Sequence, residues 1–131
     1  MADKDKTNIV ILGSTGSIGQ QTLEVIDKHP DIFRVVGLAA RDEINILREQ
    51  IEHYHPLAVA ITDQDAYKRL SSTTRPGMKI MQGLEGLCEI ASLPEADTVL
   101  VAVSGAVGIK PTLAAIAAQK RIALANKETL V

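Results

Sequence analysis

The sequence predicts an α/β fold, a doubly wound and mainly parallel sheet of Rossmann type with helices on both faces. Short apolar runs rich in β-branched residues alternate with longer amphipathic segments, which is the pattern of successive βαβ units. Aromatic residues make up only 2% of the chain, so its core must be aliphatic, as in parallel sheets that are buried on both faces. A glycine-rich turn follows the first apolar run directly.

Each predicted element rests on its local pattern. Apolar runs predict strands over residues 8–12, 33–40, 57–61, 79–81, 98–103 and 121–125. The spacing of apolar residues predicts helices over 17–29, 44–55, 63–71, 84–91 and 106–119. Pro30 and Pro56 end the first two helices, Asp42 is expected to cap the second, and Pro111 fits the first turn of the last. No internal repeat or composition break divides the chain, which predicts a single domain over residues 1–131.

Composition argues against several classes of function. The net charge of -2 disfavours a protein that binds nucleic acid through charge alone. No apolar run approaches the roughly 20 residues of a membrane span, so no membrane is expected as a partner. The single cysteine, Cys88, cannot form an internal disulfide and fits an apolar helix pattern, which predicts a packed thiol in a reducing cytoplasm.

The most informative motif is GSTGSIG at residues 13–19, placed between the first strand and its helix. In this context Gly13 makes the tight turn, Gly16 lets a pyrophosphate approach the backbone, and Gly19 lets the helix pack closely. The amides of residues 15–18, which are Thr15, Gly16, Ser17 and Ile18, would then face the phosphates from the positive end of the helix. The motif predicts nucleotide binding, and a glycine-rich turn that serves packing alone is the alternative.

The end of the second strand bears on the choice between NAD and NADP. A carboxylate there would bind the adenosine ribose, whereas an arginine would pair with a 2′-phosphate. The sequence has Arg41, then Asp42 and Glu43, and the two acids also suit the first turn of the following helix. Arg41 comes first after the strand, which favours NADP.

The last strand ends in three polar residues, Asn126, Lys127 and Glu128. At the carboxyl edge of a parallel sheet such residues face the ligand crevice. Asn126 and Glu128 could bind a nicotinamide or ribose, and Lys127 a substrate phosphate. A helix cap followed by a solvated charge pair explains the same residues equally well.

No catalytic residue and no metal ligand set is predicted in this chain. His53 and His55 are two residues apart at a helix end, so they cannot share one helix face and are interpreted as surface residues.

Four segments together resemble one family: ILGSTGSIG at 11–19, PDIFRVV at 30–36, PTLAAI at 111–116 and LANKETLV at 124–131. They resemble 1-deoxy-D-xylulose 5-phosphate reductoisomerase. The resemblance implies an NADPH-dependent oxidoreductase of isoprene biosynthesis, which forms 2-C-methyl-D-erythritol 4-phosphate with a divalent metal, Mg or Mn. It further implies a bacterial cytoplasmic enzyme that is a homodimer at full length.

The resemblance also assigns residues. It implies that Thr15, Gly16, Ser17 and Ile18 form the NADPH diphosphate loop, that Asn126 and Glu128 contact the cofactor, and that Lys127 contacts the sugar phosphate. The family often has a glycine, a basic residue and an asparagine where this chain has Arg41, Asp42 and Glu43, so the basic residue is displaced by one position. In the family the metal-binding carboxylates follow the Asn-Lys-Glu segment, so the chain alone is expected to be inactive.

Two other kinds of enzyme share the glycine spacing. A semialdehyde-dehydrogenase-type reductase needs a downstream cysteine nucleophile, and an extended short-chain reductase or epimerase needs a Tyr-x-x-x-Lys pair. Neither feature occurs in this sequence. A non-catalytic nucleotide-sensing module of Rossmann type is the alternative from a different class.

Overall fold

Six parallel strands form one sheet in the computed structural model, which describes residues 6–72, 76–103 and 105–124. The strand order is β4-β3-β2-β1-β5-β6, so the chain adds strands outward on one side of β1 and then crosses to the other side. The strands are β1 Thr7–Leu12, β2 Phe33–Ala40, β3 Ala58–Ile61, β4 Lys79–Gln82, β5 Thr98–Val101 and β6 Arg121–Leu124.

Helices cover both faces of the sheet. The helices are α1 Ser17–Asp27, α2 Ile44–Tyr54, α3 Gln64–Ser71, α4 Gly83–Ala91 and α5 Ile109–Ala117, the last preceded by a 3-10 turn over Gly105–Gly108. The first face carries α1, α2 and α3, and the second face carries α4 and α5. Each face has its own aliphatic core, because successive side chains of a strand point to opposite sides. The predicted doubly wound fold is confirmed.

The predicted elements are present, with differences at their ends. The strand predicted over 98–103 ends at Val101. The Ala102 amide still donates to the Leu12 carbonyl at 2.8 Å, and Ala102 and Val103 then pass beside Gly13. The helix predicted over 106–119 begins as the 3-10 turn and becomes α-helical only at Ile109. Pro111 is the third residue of that helix, as expected. None of the helices in the described ranges could cross a membrane.

Two predictions about single residues are wrong. Asp42 does not cap α2: the N-cap is Glu43 and it makes no side-chain cap bond, while the Ile44 amide donates to the backbone carbonyl of Asp42 at 2.9 Å. The Asp42 carboxylate instead lies 3.7 Å from Arg41 Nε. Cys88 is only half-buried on α4, because its helix turns Leu87 and Ile90 toward the core.

We expect the 131-residue chain to unfold in one cooperative transition. The two cores share a single sheet, so neither can lose its packing while the other stays intact. Thermal unfolding followed by far-ultraviolet circular dichroism and by a second probe should give coincident curves. Several protein concentrations are needed, because Ile109, Leu113 and Ile116 on α5 are more than half exposed and could promote self-association. Separate midpoints for the two probes would contradict the expectation.

Candidate functional site

A cleft of about 650 Å³ opens at the carboxyl edge of the sheet. It lies where β1 and β5 are neighbours but the helices that follow them, α1 and α5, cover opposite faces. Ligands of open α/β sheets bind at this kind of switch point. The cleft is lined by Gly13, Thr15, Gly16, Ala39, Ala40, Arg41, Thr62, Leu84, Leu87, Ala102, Val103, Ala106, Val107 and Lys110. Its walls are mostly apolar, with a few polar groups from separate elements, which is typical of small-molecule sites.

Two glycines of the 13–19 loop are required by the fold itself. Gly13 has a φ of 91°, and a Cβ there would lie 3.0 Å from the backbone carbon of Ala102. A Cβ on Gly19 would lie 2.1 Å from the carbonyl oxygen of Gly13 and 2.7 Å from Ser14 Cα. The predicted roles of both residues, a tight turn and a close helix contact, are confirmed.

Gly16 differs from both, because the protein has no steric need for it. Its φ of -77° suits any residue, and a Cβ there would meet only the Gly13 carbonyl oxygen, at an ordinary 3.7 Å. The residue is exposed and lines the cleft. The space that a side chain would occupy is therefore open to a ligand.

Two glutamine side chains hold the carbonyl groups of the loop. Gln50 Nε2, from α2, donates to the Ser14 carbonyl at 2.8 Å, and Gln20 Nε2, from α1, donates to the Thr15 carbonyl at 2.8 Å. Ser14 is fully buried. Sequence reasoning missed Gln50, although its signal is visible: it is a polar residue between Leu47 and Ile51 on the apolar side of α2.

The start of α1 presents backbone donors beside the cleft. The N-cap Gly16 has no side chain to bind the first amides of the helix, so the amides of Ser17 and Ile18 have no partner within the helix. Both residues are exposed. Of the four predicted loop residues, Thr15 and Gly16 line the cleft, whereas Ser17 and Ile18 follow as the first residues of α1 without lining it.

Arg41 is the cation that the structure places in this cleft directly after β2. It lines the cleft, and its side chain is 83% exposed. Its contact with Asp42 is long and solvent-exposed, and such pairs contribute little. The guanidinium can therefore turn toward an anionic ligand. Lys110, on α5, brings a second exposed cation to the lining, and sequence reasoning did not select it.

Asn126, Lys127 and Glu128 lie outside the described residues. The preceding strand, β6, pairs with β5 in parallel and ends at Leu124. Their predicted position at the carboxyl edge stays a prediction.

A second polar cluster joins α1 to α2 away from the cleft. Tyr54 Oη donates to Asp27 Oδ1 at 2.9 Å, and His53 Nε2 lies 3.2 Å from the same oxygen. Burial and the neighbouring Asp27 carboxylate raise the pKa of Tyr54 well above its usual value. His53 and His55 are exposed, as predicted. Over the described ranges no three His, Cys, Asp or Glu side chains meet in a way that could hold a metal ion.

Comparison with known proteins gives the family. A family model described as 1-deoxy-D-xylulose 5-phosphate reductoisomerase matches residues 9–131. The chain belongs to this family. The semialdehyde-dehydrogenase and short-chain reductase alternatives are therefore wrong.

Individual members of the reductoisomerase family are similar to this chain over nearly all of its length. The chain is 49% identical over 123 residues to the 1-deoxy-D-xylulose 5-phosphate reductoisomerase of Thermodesulfovibrio yellowstonii, an alignment that covers 94% of this chain and 32% of that protein. The Geobacillus kaustophilus reductoisomerase is 52% identical over the same number of residues, with the same coverage. The chain thus spans about a third of the length of these relatives.

Solved reductoisomerase structures share the fold. A DOX-P reductoisomerase in complex with NADPH, fosmidomycin and magnesium superimposes with a TM-score of 0.88 at 41% identity, covering 95% of this chain and 31% of that one. The Zymomonas mobilis reductoisomerase in complex with NADPH gives 0.85 at 33% identity, covering 95% of this chain and 33% of that one.

Proposed function

We propose that the cleft binds NADPH and that residues 1–131 are the NADPH-binding domain of a reductoisomerase. The observation that carries the proposal is the open space over Gly16, in a loop whose other two glycines the fold requires. A glycine that the protein does not need for its own packing fits a site where a phosphate approaches the backbone. Family members of the same fold have been solved with NADPH.

Each part of the cofactor has a place in this proposal. The diphosphate lies on the backbone of Thr15, Gly16, Ser17 and Ile18, at the positive end of α1. Arg41 binds the adenosine 2′-phosphate from the end of β2, through the charge-assisted bonds that arginine forms with phosphate. In the undescribed segment, Asn126 and Glu128 contact the cofactor.

The whole protein is proposed to convert 1-deoxy-D-xylulose 5-phosphate to 2-C-methyl-D-erythritol 4-phosphate, a step of isoprene biosynthesis. NADPH supplies the hydride when it is bound. Lys127 is proposed to bind the phosphate of the sugar substrate, because the sequence pattern predicts this lysine at the carboxyl edge of the sheet, where ligands of such sheets bind. The full-length protein is further proposed to be a homodimer, as the family resemblance implies, and to be located in the bacterial cytoplasm, since the relatives are bacterial.

The described part of this chain has no group of three His, Cys, Asp or Glu side chains that could bind the divalent metal of the family. The proposal therefore assigns the metal, Mg or Mn, to the full-length enzyme and derives no step through it.

Arg41→Ala is expected to weaken NADPH binding by about 1.5–3 kcal/mol, the usual range for hydrogen bonds to charged groups, and to leave NADH binding nearly unchanged. The reason is that only NADPH carries the 2′-phosphate. Calorimetric titration of both cofactors measures the effect. Arg121→Ala is the matched control, because it removes the same charge from an exposed residue at the amino end of β6. Equal losses of both cofactors would show that Arg41 does not bind the 2′-phosphate.

A further inference from the structure

Gln50 is an unusual residue for its position. It lies on α2 with only 8% of its surface exposed, among the apolar side chains of the first face. Its Nε2 donates to the Ser14 carbonyl at 2.8 Å, while its Oε1 is buried and has no partner among the described residues. A buried polar atom without a partner costs stability. An apolar residue would suit the core better, so the bond to Ser14 is the feature that accounts for a glutamine here.

The bond determines the direction of the next amide. The peptide that joins Ser14 to Thr15 is trans, so its carbonyl and its N–H point in opposite directions. Gln50 reaches the carbonyl from the first face, whereas the cleft is bounded by α4, the 3-10 turn and α5 on the second face. Thr15 itself lines the cleft. The Thr15 N–H is therefore held toward the cleft.

The other bonds of the loop do not fix this peptide as firmly. The amides of Gly13 and Ser14 both donate to the Ala39 carbonyl, at 2.8 and 2.9 Å, and anchor the residues before it. Gln20 binds the carbonyl of Thr15, but this contact is exposed, so water can replace it. The buried bond from Gln50 has no such replacement.

We propose that Gln50 is a positioning residue of the cofactor site: it does not touch the cofactor but aims the Thr15 N–H at a diphosphate oxygen. This inference rests on the proposed function and adds to it a residue in the core, on the opposite face from the cleft. It predicts that loss of the Gln50 donor lowers the affinity for ligands that carry the diphosphate and leaves the affinity for ligands that lack it unchanged.

The test compares NADPH with adenosine 2′-monophosphate, which keeps the adenosine and the 2′-phosphate but has no diphosphate. Gln50→Met keeps the length of the side chain and removes the donor, and Gln50→Glu replaces the donor by an acceptor. We expect Gln50→Met to weaken NADPH about 10-fold and Gln50→Glu to weaken it further, because its carboxylate faces the Ser14 carbonyl. The affinity for adenosine 2′-monophosphate should stay within about twofold of the wild-type value. Gln64→Met, at the exposed start of α3, is the control.

The outcomes separate this inference from the function on which it rests. Folded Gln50 variants that bind NADPH like the wild type overturn the inference alone. Equal losses of both ligands also overturn it, because they indicate a collapsed cleft. A wild-type chain that binds neither ligand overturns the proposed function and this inference together.

A second measurement uses the wild-type chain, so its result does not depend on whether a variant folds. In the wild-type chain, the side-chain amide resonances of Gln50 should shift when NADPH is added and stay in place when adenosine 2′-monophosphate is added. The cause is that a phosphate on the Thr15 N–H polarises the same peptide whose carbonyl Gln50 binds. An unchanged Gln50 resonance in saturating NADPH would contradict the proposal.

Discussion

Gly19→Ala is expected to lower the free energy of unfolding by about 3 kcal/mol or more, beyond the usual cost of overpacking. The new Cβ would lie 2.1 Å from the Gly13 carbonyl oxygen, and backbone atoms on both sides would have to move. The loop and the start of α1 would separate, so NADPH binding should be lost as well. Urea unfolding of the variant and the wild type measures the change.

Gly16→Ala is the matched control, with the same chemical change three residues earlier. Its Cβ meets no atom closer than 3.7 Å, so the free energy of unfolding should fall by no more than about 1 kcal/mol, the cost of alanine at an N-cap. NADPH affinity should nevertheless fall at least about tenfold, because the methyl group occupies the space proposed for the diphosphate. Equal stability losses for the two variants would contradict the steric conflict expected for a Cβ at position 19.

The second large effect concerns catalysis. The purified 131-residue chain, given 1-deoxy-D-xylulose 5-phosphate, NADPH and Mg²⁺ or Mn²⁺, should consume no NADPH above background. The chain matches about a third of the length of its relatives. The family resemblance assigns the metal-binding carboxylates to the part after the Asn-Lys-Glu segment. Precise alignment of reactants is worth about 7–11 kcal/mol of the barrier. Binding NADPH alone does not supply that alignment.

A chimera provides the positive control for this prediction. In the chimera, the 123 aligned residues of the Geobacillus kaustophilus relative are replaced by the corresponding segment of this chain, which is 52% identical to them. We expect the chimera to consume NADPH, and Lys127→Ala within it to raise the KM for the sugar phosphate more than it lowers kcat. Turnover by the 131-residue chain itself would contradict both the domain assignment and the proposed position of the metal site.

The sequence was sufficient to predict the parts of the site that depend on backbone conformation. The residue type and spacing of Gly13 and Gly19 predict a turn and a close helix contact, because few other residues fit those positions. Arg41 could be found for a similar reason, since it directly follows β2 and the carboxyl ends of parallel strands form the edge of the sheet where ligands bind.

Other parts depend on contacts between distant segments, which local patterns do not encode. Gln50 reaches Ser14 across 36 positions of sequence, and Lys110 joins the cleft only because β5 lies beside β1. Asp42 does not cap α2 because its own backbone carbonyl accepts the Ile44 amide that its carboxylate was expected to bind. Helix ends are where such competition decides the outcome.

The most direct test of NADPH binding in this cleft is a titration of the ¹⁵N-labelled chain, followed residue by residue through its backbone amides. We expect the largest shifts at Thr15, Ser17 and Ile18, with smaller ones at Arg41 and Lys110, and NADH should reproduce the loop shifts but not that of Arg41. The amino-edge residues His53 and Tyr54 should not respond. Shifts confined to those residues, or none at saturating NADPH, would contradict the account.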